Sequence, residues 1–181
     1  MNSDFKDGFT RLLRSFDYNP DDVVKITRAF GLATKIHKGQ SVNKAEHYIN
    51  HSLRVALILA EELKMRDTDL ICAALLHDAQ ISDDELKDFG ERIYSILSAI
   101  DSWTEEKVSE EYFASMTKAS KDTRYIKLAE LLDDIRSMKG QGFKDKVIRY
   151  KEETQKYVVP IAAATDDRLA FKLSVALYEL R

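Results

Sequence analysis

The sequence is poor in the residues that break regular structure, with six glycines and two prolines among 181 residues. An average protein has roughly 12% of its residues in these two types. Because hairpins and tight turns depend on glycine and proline, their scarcity excludes a fold built from many short strands. We therefore expect an all-α fold, a helical bundle of about eight to ten helices, in a single domain over residues 1–181.

The sequence also lacks a second cysteine and any long apolar run. One thiol, Cys72, cannot form an intrachain disulfide or a thiolate zinc site, which is typical of a reducing compartment. Residues 1–10 contain no apolar segment, and the longest apolar runs are much shorter than a bilayer span. We therefore expect a cytoplasmic protein without a membrane partner.

An excess of one charge is absent as well, since 28 basic and 31 acidic residues give a net charge of −3. The charges form no long block of one sign, unlike the basic surface of a nucleic-acid binder. Hydrophobic residues make up 44% of the chain, which is enough to build a core. These features exclude a disordered chain, and we expect no DNA partner.

Helix start and stop signals divide the chain. Asn19 followed by Pro20 predicts the start of a helix that reaches about Lys38, and residues 39–50 are interpreted as a loop. Ser82 with Glu85 three residues later is a capping-box pattern. Residues 157–159 are interpreted as part of a broken helix rather than a strand, because a proline follows. The predicted helices are 3–16 (within an N-terminal segment 1–18), 20–38, 51–63, 68–76, 82–90, 91–101, 105–119, 122–138, 143–157 and 166–180.

Two predicted helices, 53–63 and 68–76, are apolar almost all round, and the second ends in His77-Asp78. An ionised aspartate at the edge of a core is costly unless it is paired or bound to a metal. The structural alternative is an aspartate that accepts hydrogen bonds at the helix end and a histidine that fills space beside it.

Two further residues extend this pair. His51 begins the neighbouring apolar helix, and Glu130 shares a face of helix 122–138 with Lys127 and Asp134, beside its apolar stripe. Either could be a polar surface residue. Together, two imidazoles and two carboxylates form a ligand set suited to manganese, iron or zinc, with positions left open for water and substrate.

These residues resemble the HD-domain phosphohydrolases, whose signature is a separated histidine, an adjacent His-Asp pair and a distant aspartate. Across about residues 23–180 the chain is similar to the small stand-alone hydrolases of the alarmone (ppGpp) branch, related to RelA and SpoT. The matching motifs are His37-Lys38-Gly39-Gln40, Tyr48-Ile49-Asn50-His51, Ala73-Ala74-Leu75-Leu76-His77-Asp78, Phe89-Gly90, Ile126-Lys127-Leu128-Ala129-Glu130, Arg149-Tyr150, Glu153-Thr154 and Val159-Pro160-Ile161-Ala162.

The resemblance implies a metal-dependent phosphohydrolase that acts on a small-molecule nucleotide, with ppGpp 3′-pyrophosphohydrolysis as the branch activity and a homodimer as one assembly. It implies one divalent ion, usually manganese, with iron, zinc or magnesium as the other choices. Such an ion lowers the pKa of a bound water and neutralises phosphoryl charge. The implied residues are His51, His77, Asp78 and Glu130 for the metal, His77 and Asp78 for catalysis, and Gln40, Lys44, Lys127 and Asp134 for the substrate.

Four departures from the branch pattern concern the substrate. Glu130 stands in place of an aspartate, Val42 in place of a basic residue, and Asp134 in place of an asparagine. The Glu-Asp dipeptide that follows the His-Asp pair in the branch is missing. An additional carboxylate at Asp134 would repel a polyphosphate unless it binds a second cation or is protonated. The alternative functions are a catalytically impaired relative that binds metal or nucleotide in a regulatory role, and a purely structural helical protein.

Overall fold

The structure, a computed structural model, describes residues 3–40, 42–101, 110–138 and 144–180. Within these ranges the chain forms helices and turns and no strand, which confirms the all-α prediction. Two π-helical turns continue neighbouring α-helices, so that the segments make ten continuous helices. The segments are α1 (Ser3–Arg14), α2 (Pro20–Gln40), α3 (Val42–Leu57), a π turn (Ile58–Glu62), α4 (Thr68–Leu76), α5 (Asp83–Lys87), α6 (Glu91–Asp101), α7 (Glu110–Lys118), α8 (Lys121–Ser137), α9 (Lys144–Glu153), a second π turn (Thr154–Val158), α10 (Val159–Ala163) and α11 (Asp167–Glu179).

The chain divides into two compact units, Met1–Asp101 and Ser102–Arg181. In the first unit α2, α3 and α4 pack against one another and bury Ala29, Val55 and Leu75. In the second unit α11 packs on α8 and α10, and buries Leu128 and Leu173. The prediction of a single domain over residues 1–181 stays a prediction. No helix of the described segments combines the length and the hydropathy that crossing a membrane requires.

The predicted capping signals lie at helix ends in the structure. Asn19 Oδ1 accepts a hydrogen bond from the backbone N–H of Asp21 at 3.1 Å, at the start of α2. Ser82 Oγ accepts from the backbone N–H of Glu85 at 3.4 Å, at the start of α5. After α5, Gly90 has φ +112°, a conformation that favours glycine over residues with a Cβ. Both helix starts are therefore confirmed.

The interpretation of residues 39–50 as a loop is wrong, because α2 continues to Gln40 and α3 begins at Val42. His51 consequently lies inside α3, more than two turns from its start, and not at the first position of a helix. The error has a physical reason. A glycine inside a helix costs only about 1 kcal/mol relative to alanine, and the segment that follows Gly39 contains Lys44 and Glu46, which are good helix formers.

The prediction of a broken helix around residues 157–159 is correct in its choice of helix over strand. The break is the second π turn, through which α9 runs directly into α10. There the backbone N–H of Val159 donates to the carbonyl of Thr154, five residues earlier. Pro160 has no N–H, and in a regular α-helix its ring would clash with the carbonyl four residues earlier. The wider turn accommodates the proline without ending the helix.

Candidate metal centre

Three of the four predicted metal ligands lie together in the first unit. His51 is on α3, His77 is the C-cap of α4, and Asp78 follows it. Candidate ligand atoms from the three side chains all lie within 4.8 Å of one another. His51 Nε2 is 3.7 Å from Asp78 Oδ2, and His77 Nε2 is 3.5 Å from Asp78 Oδ1. The packing of α3 on α4 brings together residues that are 26 positions apart.

The end of α4 explains why a polar pair follows an apolar helix. Every residue from Leu70 to Leu76 is buried, and so is His77, whereas Asp78 is only partly buried. His77 Nδ1 lies 2.8 Å from the carbonyl oxygen of Ala74. A carbonyl can only accept, so Nδ1 carries the proton, and in the neutral ring the lone pair is on Nε2. The atom that faces Asp78 is therefore the one able to bind a metal.

The geometry fits a divalent ion. Nitrogen and oxygen ligands about 2 Å from one ion stand roughly 3–4 Å apart, and the two imidazole-to-carboxylate distances of 3.5 and 3.7 Å lie within this range. The buried His77 ring is held by its contact with the Ala74 carbonyl, so it loses little freedom on binding. His51, His77 and Asp78 therefore form a cluster that could hold a divalent metal, with room left for further ligands.

A cavity of about 500 Å³ adjoins this cluster. Its lining consists of six consecutive residues, His77, Asp78, Ala79, Gln80, Ile81 and Ser82. Of these lining residues Asp78 alone carries a carboxylate. The acidic residues that begin α5, Asp83 and Asp84, are exposed. A lining with no carboxylate besides Asp78 is what the missing Glu-Asp dipeptide predicts.

The fourth predicted ligand, Glu130, lies on α8 in the second unit, where it is buried. Lys127 is buried too, and its Nζ donates to Glu130 Oε1 at 2.6 Å. The alternative that Glu130 is an ordinary solvated surface carboxylate is therefore wrong. A charged pair at such burial is costly to desolvate, which makes it weak evidence for stability and a better sign of function.

Sequence reasoning missed one acidic residue of α8, Asp133, which is only 3% exposed. It lies three residues after Glu130, on the same side of the helix, and this spacing was the signal that could have identified it. Asp134, predicted to contact substrate, is partly buried beside it. Burial raises the pKa of Tyr150 in the same unit, and the charges of Asp134 and Glu130 raise it further. The Tyr150 hydroxyl thus lies in the field of these α8 carboxylates.

The remaining predicted substrate residues are Gln40 and Lys44, whose side chains lie outside the described part of the structure. Those two predictions stay predictions. Within the first motif, Lys38 is exposed. His37 is fully buried, with its ring stacked on Tyr48 at a centroid distance of 5.4 Å. His37 therefore packs as a core residue of the first unit.

A protein-family model described as "HD domain" matches residues 29–166. A guanosine-3′,5′-bis(diphosphate) 3′-pyrophosphohydrolase of Aquifex aeolicus is 32% identical over 162 residues, which cover 83% of this chain and 23% of that protein. The bifunctional (p)ppGpp synthase/hydrolase SpoT of Escherichia coli is 32% identical over 161 residues, covering 80% of this chain and 22% of that protein. The chain thus spans less than a quarter of the length of these relatives.

A solved structure is also similar, that of a metazoan ortholog of SpoT described as hydrolysing ppGpp. The TM-score is 0.70 at 23% identity, and the match covers 86% of this chain and 94% of that one. At this identity the likeness concerns the fold.

Proposed function

Because the chain belongs to the HD domain family, we propose that it is a metal-dependent phosphohydrolase that acts on a nucleotide, with the 3′-pyrophosphate of ppGpp as the first candidate substrate. The observation that carries the proposal is the cluster of His51, His77 and Asp78 beside a cavity of about 500 Å³. The name of the Aquifex aeolicus relative specifies a 3′-pyrophosphohydrolase of guanosine-3′,5′-bis(diphosphate), and that of the Escherichia coli relative a bifunctional (p)ppGpp synthase/hydrolase; both support the choice of substrate.

We propose manganese as the ion, ahead of iron, zinc and magnesium, and Glu130 as the fourth ligand. The order of the four residues in the family signature supports this assignment, as does the burial of the Glu130 carboxylate. A mixed set of imidazole and carboxylate ligands suits borderline divalent ions and binds magnesium less well. Asp133 and Asp134 lie on the same turn of α8 and are the alternative carboxylates with which Glu130 has to be compared as the fourth ligand.

The protein residues have separate tasks in the proposed reaction. The hydrogen bond from His77 Nδ1 to the Ala74 carbonyl fixes the ring and its tautomer, and keeps the proton away from Nε2. Asp78 faces both imidazoles and also lines the cavity, so it can orient a water molecule there. A bound divalent ion supplies the acidity of that water and offsets charge on the phosphoryl group.

Lys127, Asp134, Gln40 and Lys44 are proposed to contact the nucleotide. The Lys127 ammonium is buried and donates to Glu130 at 2.6 Å, so a role in contacting phosphate has to be distinguished from a role in positioning Glu130. If Lys127 contacts phosphate, Lys127→Met raises KM and leaves metal content unchanged. If it positions Glu130, the same variant lowers metal content. We also propose a cytoplasmic setting, in keeping with one buried cysteine, and no DNA partner.

The experiment combines metal content with turnover. Protein loaded with manganese and then desalted is measured by elemental analysis, for the wild type and for His51→Ala, His77→Ala, Asp78→Ala and Glu130→Ala. Near one equivalent is expected in the wild type and a loss of most of it in each variant. Release of pyrophosphate or phosphate is then followed with ppGpp and a panel of nucleotides. We expect His77→Ala and Asp78→Ala to lower the rate at least about 100-fold.

The matched control is Glu111→Ala, which removes an exposed carboxylate on α7 of the same unit as Glu130. It should retain both metal and rate. Stoichiometric metal without release from any nucleotide would instead identify a catalytically impaired relative with a regulatory role. No metal in the loaded wild type would contradict the proposal altogether.

A further inference from the structure

The hydroxyl of Tyr150 is a polar group that the described part of the chain leaves without a hydrogen-bond partner. Tyr150 lies on α9 in the second unit, and its hydroxyl oxygen is buried. The backbone of this residue is held in place, because its carbonyl accepts from the hydroxyl of the buried Thr154 at 2.7 Å. Buried hydroxyls nearly always have a partner, since burial removes their hydration. The Tyr150 hydroxyl is therefore a candidate contact for a ligand.

The surroundings of this hydroxyl are negative. Burial is the largest cause that raises the pKa of Tyr150, and the charges of Asp134 and Glu130 raise it further, with Asp134 the stronger of the two. The phenol therefore keeps its proton at neutral pH, so its O–H is available as a hydrogen-bond donor. A neutral donor and ionised acceptors thus share one region of the second unit.

Of the two carboxylates, Asp134 is better placed to accept from a ligand. They lie four residues apart on α8, and therefore on one face of the helix. Glu130 is 8% exposed and already accepts from Lys127 Nζ at 2.6 Å, whereas Asp134 is only partly buried. A carboxylate has about four lone-pair sites, so the interactions that Asp134 already makes leave acceptor sites for a ligand.

A neutral donor beside a carboxylate acceptor fits an alcohol. A hydroxyl group both donates and accepts, so it can accept from Tyr150 and donate to Asp134 at the same time. A phosphate oxygen could accept from Tyr150, but the charge of Asp134 would repel it. An ammonium group would be attracted by Asp134, but it has no lone pair with which to accept from Tyr150. The pair therefore selects an uncharged hydroxyl over either kind of ion.

We propose that Tyr150 and Asp134 bind a ribose hydroxyl of the nucleotide, with Tyr150 donating to the hydroxyl oxygen and Asp134 accepting from the hydroxyl proton. This inference rests on the proposed function, which supplies a nucleotide as the substrate. It narrows the substrate to ribonucleotides with a free sugar hydroxyl. In ppGpp the 3′ and 5′ oxygens carry phosphates, so the hydroxyl concerned is the 2′-hydroxyl. The carboxylate of Asp134 then lies against the sugar, where it repels no phosphate.

The proposed pair should discriminate between ribonucleotides and deoxyribonucleotides. A site that hydrogen-bonds a substrate hydroxyl rejects the analogue that lacks it, because the buried polar groups of the site are then left unpaired. Two hydrogen bonds are lost with the 2′-hydroxyl, one of them to a charged acceptor. We expect a ribonucleotide to bind at least about tenfold more tightly than its 2′-deoxy counterpart.

The test measures binding of GDP, which remains when the 3′-pyrophosphate is removed from ppGpp, and of 2′-deoxy-GDP. Isothermal titration calorimetry of the manganese-loaded full chain gives both dissociation constants. Tyr150→Phe and Asp134→Ala should each weaken GDP binding to nearly that of 2′-deoxy-GDP, and should leave 2′-deoxy-GDP binding and manganese content unchanged. Because the Tyr150 hydroxyl makes no hydrogen bond within the described chain, Tyr150→Phe should also leave the Tm unchanged or raise it.

The matched control is Tyr157→Phe in the same unit, because the Tyr157 hydroxyl already donates to Glu110 Oε1 at 2.9 Å. It should keep the preference for GDP. Equal binding of the two nucleotides by the wild type, or binding of neither, overturns the proposal. A preference that survives Tyr150→Phe overturns the role of Tyr150 and leaves its hydroxyl to an ordered water. Loss of manganese in Asp134→Ala would make Asp134 a metal ligand and not a ribose contact.

Failure of the proposed function has a different signature. A protein that releases no phosphate from any nucleotide, yet binds GDP at least about tenfold more tightly than 2′-deoxy-GDP, supports the ribose contact without the reaction. A protein that hydrolyses nucleotides but shows no such preference contradicts the ribose contact alone.

Discussion

The carboxylate of Asp166 connects two helices of the second unit. It is the N-cap of α11, and its Oδ1 accepts from the backbone N–H of Arg168 at 2.9 Å. The guanidinium of Arg168 donates to both carboxylate oxygens, at 3.0 and 2.7 Å. The hydroxyl of Tyr125 on α8 donates to Oδ2 at 3.0 Å. The carboxylate therefore links the start of α11 to α8.

These donors set the ionisation of Asp166. The hydrogen bond from Arg168 is the largest cause that lowers its pKa from 3.8 to about 2, against the opposing effect of burial. The carboxyl of an unfolded chain titrates near 3.9, so between about pH 4 and pH 2 the unfolded state binds more protons. The stabilisation is complete above about pH 4 and is lost as the pH falls through about 2.

Asp166→Ala should therefore destabilise the protein in a pH-dependent way. We expect a loss of about 2 kcal/mol at pH 7, because the helix cap and the hydrogen-bond partner of the buried Tyr125 are removed together. This loss corresponds to a decrease in Tm of roughly 4–8 °C. About half of the ionisation contribution should remain at pH 3, and little of it at pH 2. Thermal unfolding followed by circular dichroism at these pH values measures the change.

Asp167→Ala is the neighbouring control, because Asp167 is exposed in the first turn of α11. It should change stability by no more than about 0.5 kcal/mol. If Asp166→Ala lost the same stability at pH 2 as at pH 7, the assignment of its role to the ionised carboxylate would be wrong.

At the scale of elements, the features that the sequence predicts are those decided by neighbouring residues. The Ser82 capping box and the polar end of α4 at His77 can be identified because the relevant hydrogen bonds span three residues. The burial of Lys127 with Glu130 could not be identified in this way, because it depends on packing by residues distant in sequence. The helix over residues 42–50 is a different case, since its local propensity is favourable and Gly39 is a weaker stop signal than the prediction assumes.

The same distinction between local sequence signals and distant packing applies to the candidate site. The sequence indicated His51, His77 and Asp78 by their places beside apolar helices and by a family resemblance, and the structure brings these three together. It missed Asp133, because a second acidic residue on a helix usually faces solvent, and only the fold reveals that this one is buried.

Two glycines of the first unit, Gly31 inside α2 and Gly90 between α5 and α6, should respond to alanine substitution with opposite signs. Gly31 lies inside α2, where an added Cβ would have no neighbour within 4 Å. Gly31→Ala should stabilise the protein by about 0.5–1 kcal/mol, since alanine favours the helix and restricts the unfolded chain. Gly90→Ala should destabilise it by about 1–2 kcal/mol, because φ +112° is strained for a residue with a Cβ. Urea unfolding of the two variants measures both signs, and a stabilising Gly90→Ala would contradict the described backbone.

At the scale of the whole molecule, the clustered candidate metal ligands His51, His77 and Asp78 belong to the first of two compact units. Cys72 can report on the unfolding of that unit, because it lies on α4, five residues before His77, and is completely buried. Burial raises the pKa of the Cys72 thiol to about 12, and the charge of Lys25 offsets this only in part. A thiol reagent at pH 8 should therefore react with Cys72 only after the unit has opened.

Manganese should protect this thiol through the site at the end of the same helix. An ion at 100 times its dissociation constant stabilises the folded state by about 2.7 kcal/mol. With a urea dependence of about 1–3 kcal/mol per molar, the midpoint of Cys72 labelling should rise by roughly 1 M or more. His77→Ala should lower this rise to near zero while Glu111→Ala preserves it, because only the first removes a ligand. Rapid labelling of the wild type without urea would contradict the burial of Cys72. A manganese effect that survives His77→Ala would place the ion elsewhere in the molecule, since the stabilisation can come only from a site that the folded state alone possesses.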